Sequence, residues 1–288
     1  MNDQSVSFVI AEIRTQLSAI YPKGEIEAFI KIIFRQLLNY QPVDILLRKD
    51  SILPGFIVEK IHKVVEDLLK NRPIQYIFRQ TRFYGHNLYV DERVLIPRQE
   101  TEELVDRIVR DNVASDLRVL DCCTGSGCIA VSLARALKFP SVEAFDISEQ
   151  ALAVAEINAK TLNVKVKFSQ KDALSLPADN SIYDIIVSNP PYIGESEKAD
   201  MEANVLNYEP HLALFVPDND VLLFYKAIAE YSSGALKSGG KLYFEINHLY
   251  ANNIKELLHS LHFSNIEIAT DISRRARFVI AHKEVEKW

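Results

Sequence analysis

The sequence predicts an α/β protein: a doubly wound, mostly parallel seven-stranded sheet, preceded by a small helical bundle and a β-hairpin linker. Three observations predict this fold. Apolar residues recur at helical spacing before residue 72, aromatic and β-branched residues surround a turn signal between 74 and 96, and strands alternate with helices from residue 118 onward. We therefore expect a helical domain over residues 1–73, a hairpin linker over 74–96 and an α/β domain over 97–288.

Apolar spacing defines the helical domain. In the second of four predicted helices, apolar residues from Ile26 to Leu38 recur three and four positions apart, and the fourth helix repeats this pattern. Pro54-Gly55 and Pro73 mark the ends of the fourth helix. The four helices are predicted at residues 5–20, 24–40, 42–48 and 55–71.

The linker is predicted as two strands, residues 75–84 and 87–95, around Gly85-His86-Asn87. After it, Ile96-Pro97-Arg98-Gln99-Glu100-Thr101-Glu102 opens a helix that extends to about residue 110. The sheet is then predicted from strands at 118–122, 141–146, 165–169, 182–188, 240–246, 264–269 and 276–282, with helices at 127–138, 148–162, 219–236 and 250–260.

Charge argues against a nucleic-acid partner. The 288 residues carry a formal charge of −6, and the sequence pI is about 5.7. Residues 1–72 hold ten of the 33 basic and nine of the 39 acidic residues, which leaves 23 basic and 30 acidic residues in 73–288. An acidic α/β domain does not favour bulk attraction to a phosphate backbone.

No apolar run is long enough to predict a signal peptide or a membrane-spanning helix, so we expect a cytoplasmic protein without a membrane partner. The three cysteines, Cys122, Cys123 and Cys128, lie close together. Their odd number does not indicate a disulfide framework, and no Cys or His partner stands at metal-ligand spacing. We interpret them as small apolar residues of a strand and turn.

Polar and glycine residues at three consecutive strand ends predict a nucleotide-sized cofactor. Cys123-Thr124-Gly125-Ser126-Gly127 follows the first strand of the sheet, where glycines permit a tight turn and a close ligand. Asp146 ends the second strand, in position to accept both ribose hydroxyls of an adenosine. Asp172-Ala173 follows the third, and Asp172 can accept from the exocyclic amine of adenine. The loop alone is compatible with a dinucleotide or with S-adenosylmethionine, because Ala130 suits a relaxed dinucleotide motif.

A second motif, Asn189-Pro190-Pro191-Tyr192, follows the strand 182–188. Its prolines make a stiff turn without N–H groups, so the Asn189 side-chain carbonyl and the Pro190 backbone carbonyl can accept hydrogen bonds from a ligand. An amide nitrogen is a poor nucleophile, and two such acceptors would orient it for methylation. Tyr192 offers a flat face for the planar acceptor group. Asn189, Pro190 and Tyr192 are the candidate catalytic residues, and this chemistry needs no metal.

These motifs resemble those of the class I methyltransferases and, more closely, the release-factor glutamine methyltransferase family. The resemblance covers nearly the whole chain. It rests on residues 96–102, Val119-Leu120-Asp121 with 124–127, Asp146-Ile147-Ser148, Asn158-Ala159, Ser188–Ile193, Glu209-Pro210 with Ala213-Leu214, and Glu245-Ile246.

The resemblance implies a Rossmann-like class I fold in which residues 123–127, Asp146, Ala173 and Asn189 contact S-adenosylmethionine, with S-adenosylhomocysteine as product. Asn189–Tyr192 would hold the glutamine of the Gly-Gly-Gln motif in peptide-chain release factors, and the N-terminal domain would help to grip this protein. Glu100, Glu102 and Glu245 are further candidates for the border of the site. Cys123 departs from the family, which usually has glycine there, and Ala173 replaces the aromatic residue of some members.

Alternatives remain open at this point. A nucleic-acid methyltransferase acting on adenine N6 or guanine N2 presents a similar nitrogen, but it needs a basic groove and a flipped base. A glutamine methyltransferase of a ribosomal protein shares the chemistry. A dinucleotide-dependent dehydrogenase leaves Asn189–Tyr192 unexplained and lacks a convincing His or Tyr for a hydride relay. A non-catalytic scaffold is the last alternative.

Overall fold

The computed structural model describes residues 4–178 and 180–284, which form two compact units. The first unit extends to Arg79 and also includes Glu202–Tyr208. The second comprises Gln80–Met201 and the chain from Glu209 onward. A short segment from the α/β part of the sequence therefore belongs to the helical unit, and neither unit is continuous in sequence.

The helical unit forms because the apolar faces of its helices share one core. Its helices are α1 (Val6–Leu17), α2 (Lys23–Leu38), α3 (Pro42–Leu47), α4 (Gly55–Leu69) and α5 (Ile74–Phe78). Ile13, Ile33 and Ile61, one from each of α1, α2 and α4, are at most 2% exposed in this core. The Tyr208 hydroxyl donates to the Lys70 carbonyl at 2.8 Å, which holds the returning segment on this unit. The predicted helical bundle is confirmed.

The strand expected at residues 75–84 is wrong at its start, because Ile74–Phe78 is helical. Pro73 precedes this turn with φ −56°, and Arg79 ends it in the left-handed conformation. Ile74 is buried in the helical core, with Ile77 and Phe78 packed against the same cluster. Packing of these three side chains outweighs the strand propensity of β-branched and aromatic residues.

The hairpin is shorter than expected. Strand β1 (Thr81–Phe83) pairs antiparallel with β2 (His86–Leu88) across a turn in which Gly85 has φ +78°. The second strand does not continue to residue 95. Instead, the buried Asn158 side chain accepts from Tyr89 N at 2.7 Å and donates to Tyr89 O at 3.0 Å. A side-chain amide therefore takes the hydrogen bonds that a strand partner would have made.

The second unit alternates strands and helices. Its remaining strands are β3 (Arg118–Cys122), β4 (Ser141–Asp146), β5 (Val166–Gln170), β6 (Tyr183–Ser188), β7 (Ile193–Gly194), β8 (Phe215–Val216), β9 (Leu236–Glu245), β10 (Phe263–Thr270) and β11 (Ala276–Lys283). Its helices are α6 (Gln99–Asp111), α7 (Cys128–Ala136), α8 (Glu149–Thr161), α10 (Leu223–Ala235) and α11 (Ala251–Ser260). Helix α9 (Ala203–Tyr208) is the segment that belongs to the first unit.

The main sheet has seven strands in the order β10-β11-β9-β6-β3-β4-β5. Strands β9, β6, β3, β4 and β5 are parallel, while β11 is antiparallel to β9 and β10 is antiparallel to β11. This confirms the mostly parallel, doubly wound sheet. Strand β9 begins earlier than expected because Leu236 already pairs with Tyr183. The small parallel pair of β7 and β8 was not predicted.

Both faces of the central strands are buried, which explains their continuous apolar runs. Leu120, Ile186 and Phe244 belong to the core cluster on one face, and their neighbours Val119, Ile185 and Tyr243 belong to the cluster on the other. Successive side chains of a strand point to opposite faces, so each strand contributes to two cores. Covered on both sides, the parallel strands present their carboxyl ends and the loops that follow for a ligand.

Replacing Gly127 by alanine should destabilise the protein. Gly127 begins α7 with φ +77°, and a Cβ there would lie 2.9 Å from Ala155 Cβ on α8. We expect a loss of about 1–3 kcal/mol, from left-handed strain together with the close contact. Urea unfolding of Gly127→Ala and of Gly24→Ala provides the measurement. Gly24 lies in α2 with open space around its Cβ position, so its replacement should be neutral or stabilising. Equal effects of the two substitutions would contradict the steric role assigned to Gly127.

Candidate active site at the carboxyl edge of the sheet

The loop after β3 turns sharply because three of its residues adopt the left-handed backbone conformation, which favours glycine. Cys123, Gly125 and Gly127 have φ values of +60°, +55° and +77°. Thr124 N donates to Phe145 O at 3.0 Å, which ties the loop to the adjacent strand β4. Cys123 is thus a non-glycine residue in a left-handed conformation, and it packs against the core cluster. The first predicted cofactor segment has the backbone geometry that its glycines indicated.

Asp121 lies beneath this loop and is fully buried. Its Oδ2 accepts from Thr124 Oγ1 at 2.6 Å and from Ala130 N at 3.2 Å, whereas the buried Oδ1 has no partner among the described residues. Burial raises the pKa of Asp121 to about 7. The carboxyl joins the start of α7 to the turn, a role that its place in a sequence motif did not reveal.

Asp146, at the end of β4, is held by two backbone groups. Gly125 N donates to its Oδ2 at 2.8 Å, and Ser148 N donates to its Oδ1 at 2.9 Å. Burial raises the pKa of Asp146 above its usual value. Each carboxylate oxygen retains a further acceptor position, so the pair can receive two neighbouring hydroxyl groups.

Asp172 and Ala173 follow β5. Asp172 Oδ1 accepts from Leu174 N at 2.9 Å and so caps the short 3₁₀ helix Ala173–Ser175. Ala173 is 5% exposed, and both residues line the same cavity as Asp146. The role proposed for Asp172 toward an adenine amine stays a prediction.

The Asn189–Tyr192 turn joins a buried polar chain. Asn189 Nδ2 donates to Thr101 Oγ1 at 3.3 Å, and Thr101 Oγ1 donates to Glu245 Oε2 at 2.6 Å. The Tyr192 hydroxyl donates to Glu245 Oε1 at 3.3 Å. Because the Asn189 nitrogen is engaged by Thr101, its Oδ1 is left as an acceptor.

Many of these residues line one cavity of about 250 Å³. Of the residues predicted from the sequence, nine line it: Cys123, Thr124, Gly125, Ser126, Asp146, Asp172, Ala173, Asn189 and Pro191. Gly127, Pro190 and Tyr192 do not. Gly127 is the buried cap of α7, Pro190 is buried, and the Tyr192 hydroxyl is turned to Glu245.

Several lining residues were not predicted as site residues. They are Arg93, Val94, Leu95, Pro97, Arg98, Thr101, Lys171, Leu174, Pro210, Leu212, Ala213 and Phe224, among others. Two of the motifs that carry the family resemblance explain part of this set. Arg98 donates to Glu209 Oε1 at 2.6 Å, and Ile96 N donates to Glu209 Oε2 at 3.1 Å. The motifs at 96–102 and 209–214 therefore meet at the cavity, which no sequence spacing could indicate.

The cavity's arginines are already neutralised. Arg93 forms two hydrogen bonds with Asp91, at 2.8 and 2.6 Å, and Arg98 pairs with Glu209, whose side chain is 1% exposed. Paired guanidinium groups offer little charge to a phosphate.

The three cysteines are free and lie buried or half-buried, and burial raises the pKa of each thiol. Within residues 4–178 and 180–284, no group of three or more His, Cys, Asp or Glu side chains is placed to hold a metal ion. In the same part of the chain, no helix has both the length and the apolar composition needed to cross a bilayer.

A mostly parallel seven-stranded sheet with a Gly-rich turn after β3 and an acidic residue at the end of β4 is typical of nucleotide-binding α/β enzymes, and similarity to known methyltransferases identifies this one as a class I S-adenosylmethionine-dependent methyltransferase. A family model described as "Methyltransferase small domain" matches residues 100–208. The crystal structure of a methyltransferase from Pyrococcus furiosus has the same fold, with a TM-score of 0.53 and 17% identity over 76% of this chain and 98% of that one.

Curated relatives define the family. A "Release factor glutamine methyltransferase" of Bacteroides thetaiotaomicron is 44% identical over 276 residues, which cover 96% of this chain and 99% of that protein. The protein of the same name from Flavobacterium psychrophilum is 43% identical over 279 residues, with coverages of 94% and 98%. The chain belongs to the release factor glutamine methyltransferase family.

The buried Asp121 carboxyl should make stability depend on pH. Its pKa is about 7 in the folded protein and 3.8 in its ordinary state, so the folded form retains a proton that the unfolded form releases between these values. Stability is thus lost as pH rises through this window. The Asp121→Asn side chain cannot ionise, so the variant should not lose stability in this way. Between pH 5 and pH 8 its free energy of unfolding should rise by about 2–3 kcal/mol relative to that of the wild type, at about 1.4 kcal/mol per pKa unit.

Urea unfolding of both proteins at pH 5 and pH 8 measures this difference. Replacement of the exposed Asp116 by asparagine provides the control for the loss of one surface charge. If the gap between Asp121→Asn and the wild type is the same at both pH values, the carboxyl ionises in the folded protein as it does in water.

Proposed function

We propose that this enzyme transfers a methyl group from S-adenosylmethionine to the side-chain amide nitrogen, N5, of the glutamine in the Gly-Gly-Gln motif of peptide-chain release factors. One observation carries the proposal. The Asn189 amide in the cavity wall donates to Thr101, which leaves its oxygen to accept from an incoming NH₂ group. The names of the curated relatives support the same substrate.

The cavity residues fit S-adenosylmethionine. Gly125 has no Cβ to obstruct a ligand against the turn, and the two oriented oxygens of Asp146 match a pair of ribose hydroxyls. The small, buried Ala173 leaves space for a flat ring beside Asp172. Residues 123–126, Asp146, Asp172 and Ala173 would hold the cofactor. When bound, it supplies a methyl group on a sulfonium, which is a reactive donor.

The protein's own contribution is to orient the acceptor. An amide nitrogen shares its lone pair with the carbonyl, so it reacts only when held as it becomes pyramidal and positive. The Asn189 Oδ1 would accept one N–H of the glutamine amide, which favours that charge as the N–C bond forms. The Pro190 carbonyl, expected as the second acceptor, belongs to a buried residue that does not line the cavity, so its role stays a prediction. The bond between the methyl carbon and sulfur would break as the N–C bond forms, and the nitrogen would then give one proton to water. The products would be the neutral N-methyl amide and S-adenosylhomocysteine. Positioning of this kind supplies much of the rate.

The orientation of Tyr192 changes one part of the proposed mechanism. Its hydroxyl bonds to Glu245, and the residue does not line the cavity. Tyr192 would therefore support the turn from behind, while Pro191 and Phe224 present apolar surface to the acceptor group.

A nucleic-acid amino group is the main alternative acceptor. The acidic balance of residues 73–288 and the pairing of Arg93 and Arg98 with carboxylates both disfavour a nucleic-acid substrate. A ribosomal protein would satisfy the same chemistry as a release factor. Substrate comparison separates these possibilities.

Incubation with labelled S-adenosylmethionine should place label on purified release factor, and on its glutamine when the tip is analysed by mass spectrometry. Free DNA and ribosomal proteins, offered in parallel, should remain unlabelled. Label on DNA and none on release factor would overturn the proposal.

Asn189→Ala should lower kcat at least ~100-fold, because the side-chain acceptor for the reacting group is lost. S-adenosylmethionine affinity, measured by calorimetry, should change much less than kcat. Asn252→Ala, an exposed amide deletion on α11, serves as the control and should keep full activity. An active Asn189→Ala enzyme would rule out the amide clamp.

A further inference from the structure

Glu245 is a buried carboxyl with a defined set of partners around the Asn189 turn. It ends β9, is 1% exposed, and receives hydrogen bonds from Thr101 on α6 and from Tyr192 after β6. Three separate elements of the second unit therefore meet at one side chain. Burying a carboxyl is costly, and these hydrogen bonds offset only part of that cost.

The donors and acceptors along the hydrogen-bond chain Glu245–Thr101–Asn189 fix the positions of its hydrogen atoms. Thr101 has one hydroxyl hydrogen, and the 2.6 Å distance to Glu245 Oε2 places it there when the carboxyl is ionised. Thr101 Oγ1 can then only accept from its other neighbour, 3.3 Å away, so that neighbour must be the Asn189 NH₂ group. The opposite amide orientation would bring two acceptor oxygens together.

We propose that Thr101 and Glu245 are positioning residues for methyl transfer: the ionised Glu245 takes the Thr101 hydrogen, and this fixes the Asn189 amide with its oxygen available to the acceptor nitrogen. The inference rests on the proposed function, since it explains how the Asn189 acceptor is selected. Neither residue touches the reacting atoms.

A protonated Glu245 loses this selectivity. Its new O–H can donate to Thr101, and Thr101 would then donate to Asn189 and draw the amide oxygen away from the acceptor. The ionised carboxylate has only acceptor sites, so it permits one arrangement, whereas the neutral acid permits two. The state of Glu245 thus controls the orientation of a group that it does not contact.

Glu245 is suited to change its charge near neutral pH. Burial raises its pKa to about 7, with a further increase from Glu100 on α6, whereas Arg277 on β11 and the hydrogen bonds from Thr101 and Tyr192 act against this increase. Tyr225 on α10 and Cys128 on α7 also interact electrostatically with Glu245, and the Tyr225 hydroxyl donates to the Glu245 backbone carbonyl at 3.1 Å.

Three variants test the role of Thr101 in the hydrogen-bond chain Glu245–Thr101–Asn189. Thr101→Val keeps the shape but removes the hydroxyl, and kcat should fall about 10- to 100-fold with little change in S-adenosylmethionine affinity. Thr101→Ser restores the hydroxyl and should recover most of that loss. Ser232→Ala deletes another fully buried hydroxyl, bonded to Ile228 O in α10, and should keep wild-type kcat.

The pH profile tests Glu245. At saturating S-adenosylmethionine, wild-type kcat should rise about 5-fold as pH increases through 7. This factor corresponds to about 1 kcal/mol, the excess of a charge-assisted hydrogen bond over a neutral one. Glu245→Gln, which never ionises but offers the same two arrangements as the acid, should give a flat profile at the low-pH level. A rise of the same size in Glu245→Gln would overturn the proposal.

A readout without methyl transfer separates this inference from the proposed function. The side-chain NH₂ signals of Asn189 in a ¹⁵N NMR spectrum should shift with pH around 7 in the wild type and stay constant in Glu245→Gln. If release factor is not methylated but the signals titrate, only the proposed function fails. If release factor is methylated and the signals do not titrate, only the positioning proposal fails.

Discussion

Parallel pairing of β4, β3 and β6 is the constraint on which the site depends. Because the three strands run in the same direction in neighbouring positions, the residues that follow each of them meet at one edge of the sheet. The turn 123–127, Asp146 and Asn189 lie far apart in sequence but come together at one cavity. Any change that breaks this pairing separates the turn, Asp146 and Asn189 from one another.

Two buried carboxyls support that edge from below. Asp121 orders the turn after β3 through Thr124 and Ala130, and Glu245 orders the Asn189 turn through Thr101. Both have a pKa raised to about 7 by burial. Each therefore costs stability when ionised, and each fixes hydrogen-bond donors that would otherwise rotate freely. The active site gains geometric definition at the expense of folding free energy.

Asp121 and Glu245 support different parts of the cavity wall. Asp121 is bonded to the turn after β3, through Thr124 and Ala130. Glu245 is bonded to Thr101, which contacts the Asn189 turn after β6.

The seven-stranded sheet, the helical bundle and nine of the cavity's residues could be predicted from the amino-acid sequence, because strand periodicity, turn glycines and strand-end acids are local signals. The other features depend on contacts between residues that are distant in sequence. Helix Ile74–Phe78 forms because its apolar side chains pack in the helical core. The hairpin ends at Tyr89 because the Asn158 side chain forms hydrogen bonds with the Tyr89 backbone. Thr101 reaches Glu245, 144 residues away, and Arg98 reaches Glu209. These pairs form because packing of the helices and strands brings the two residues together, and the spacing of residues in the sequence does not indicate which elements will pack against each other.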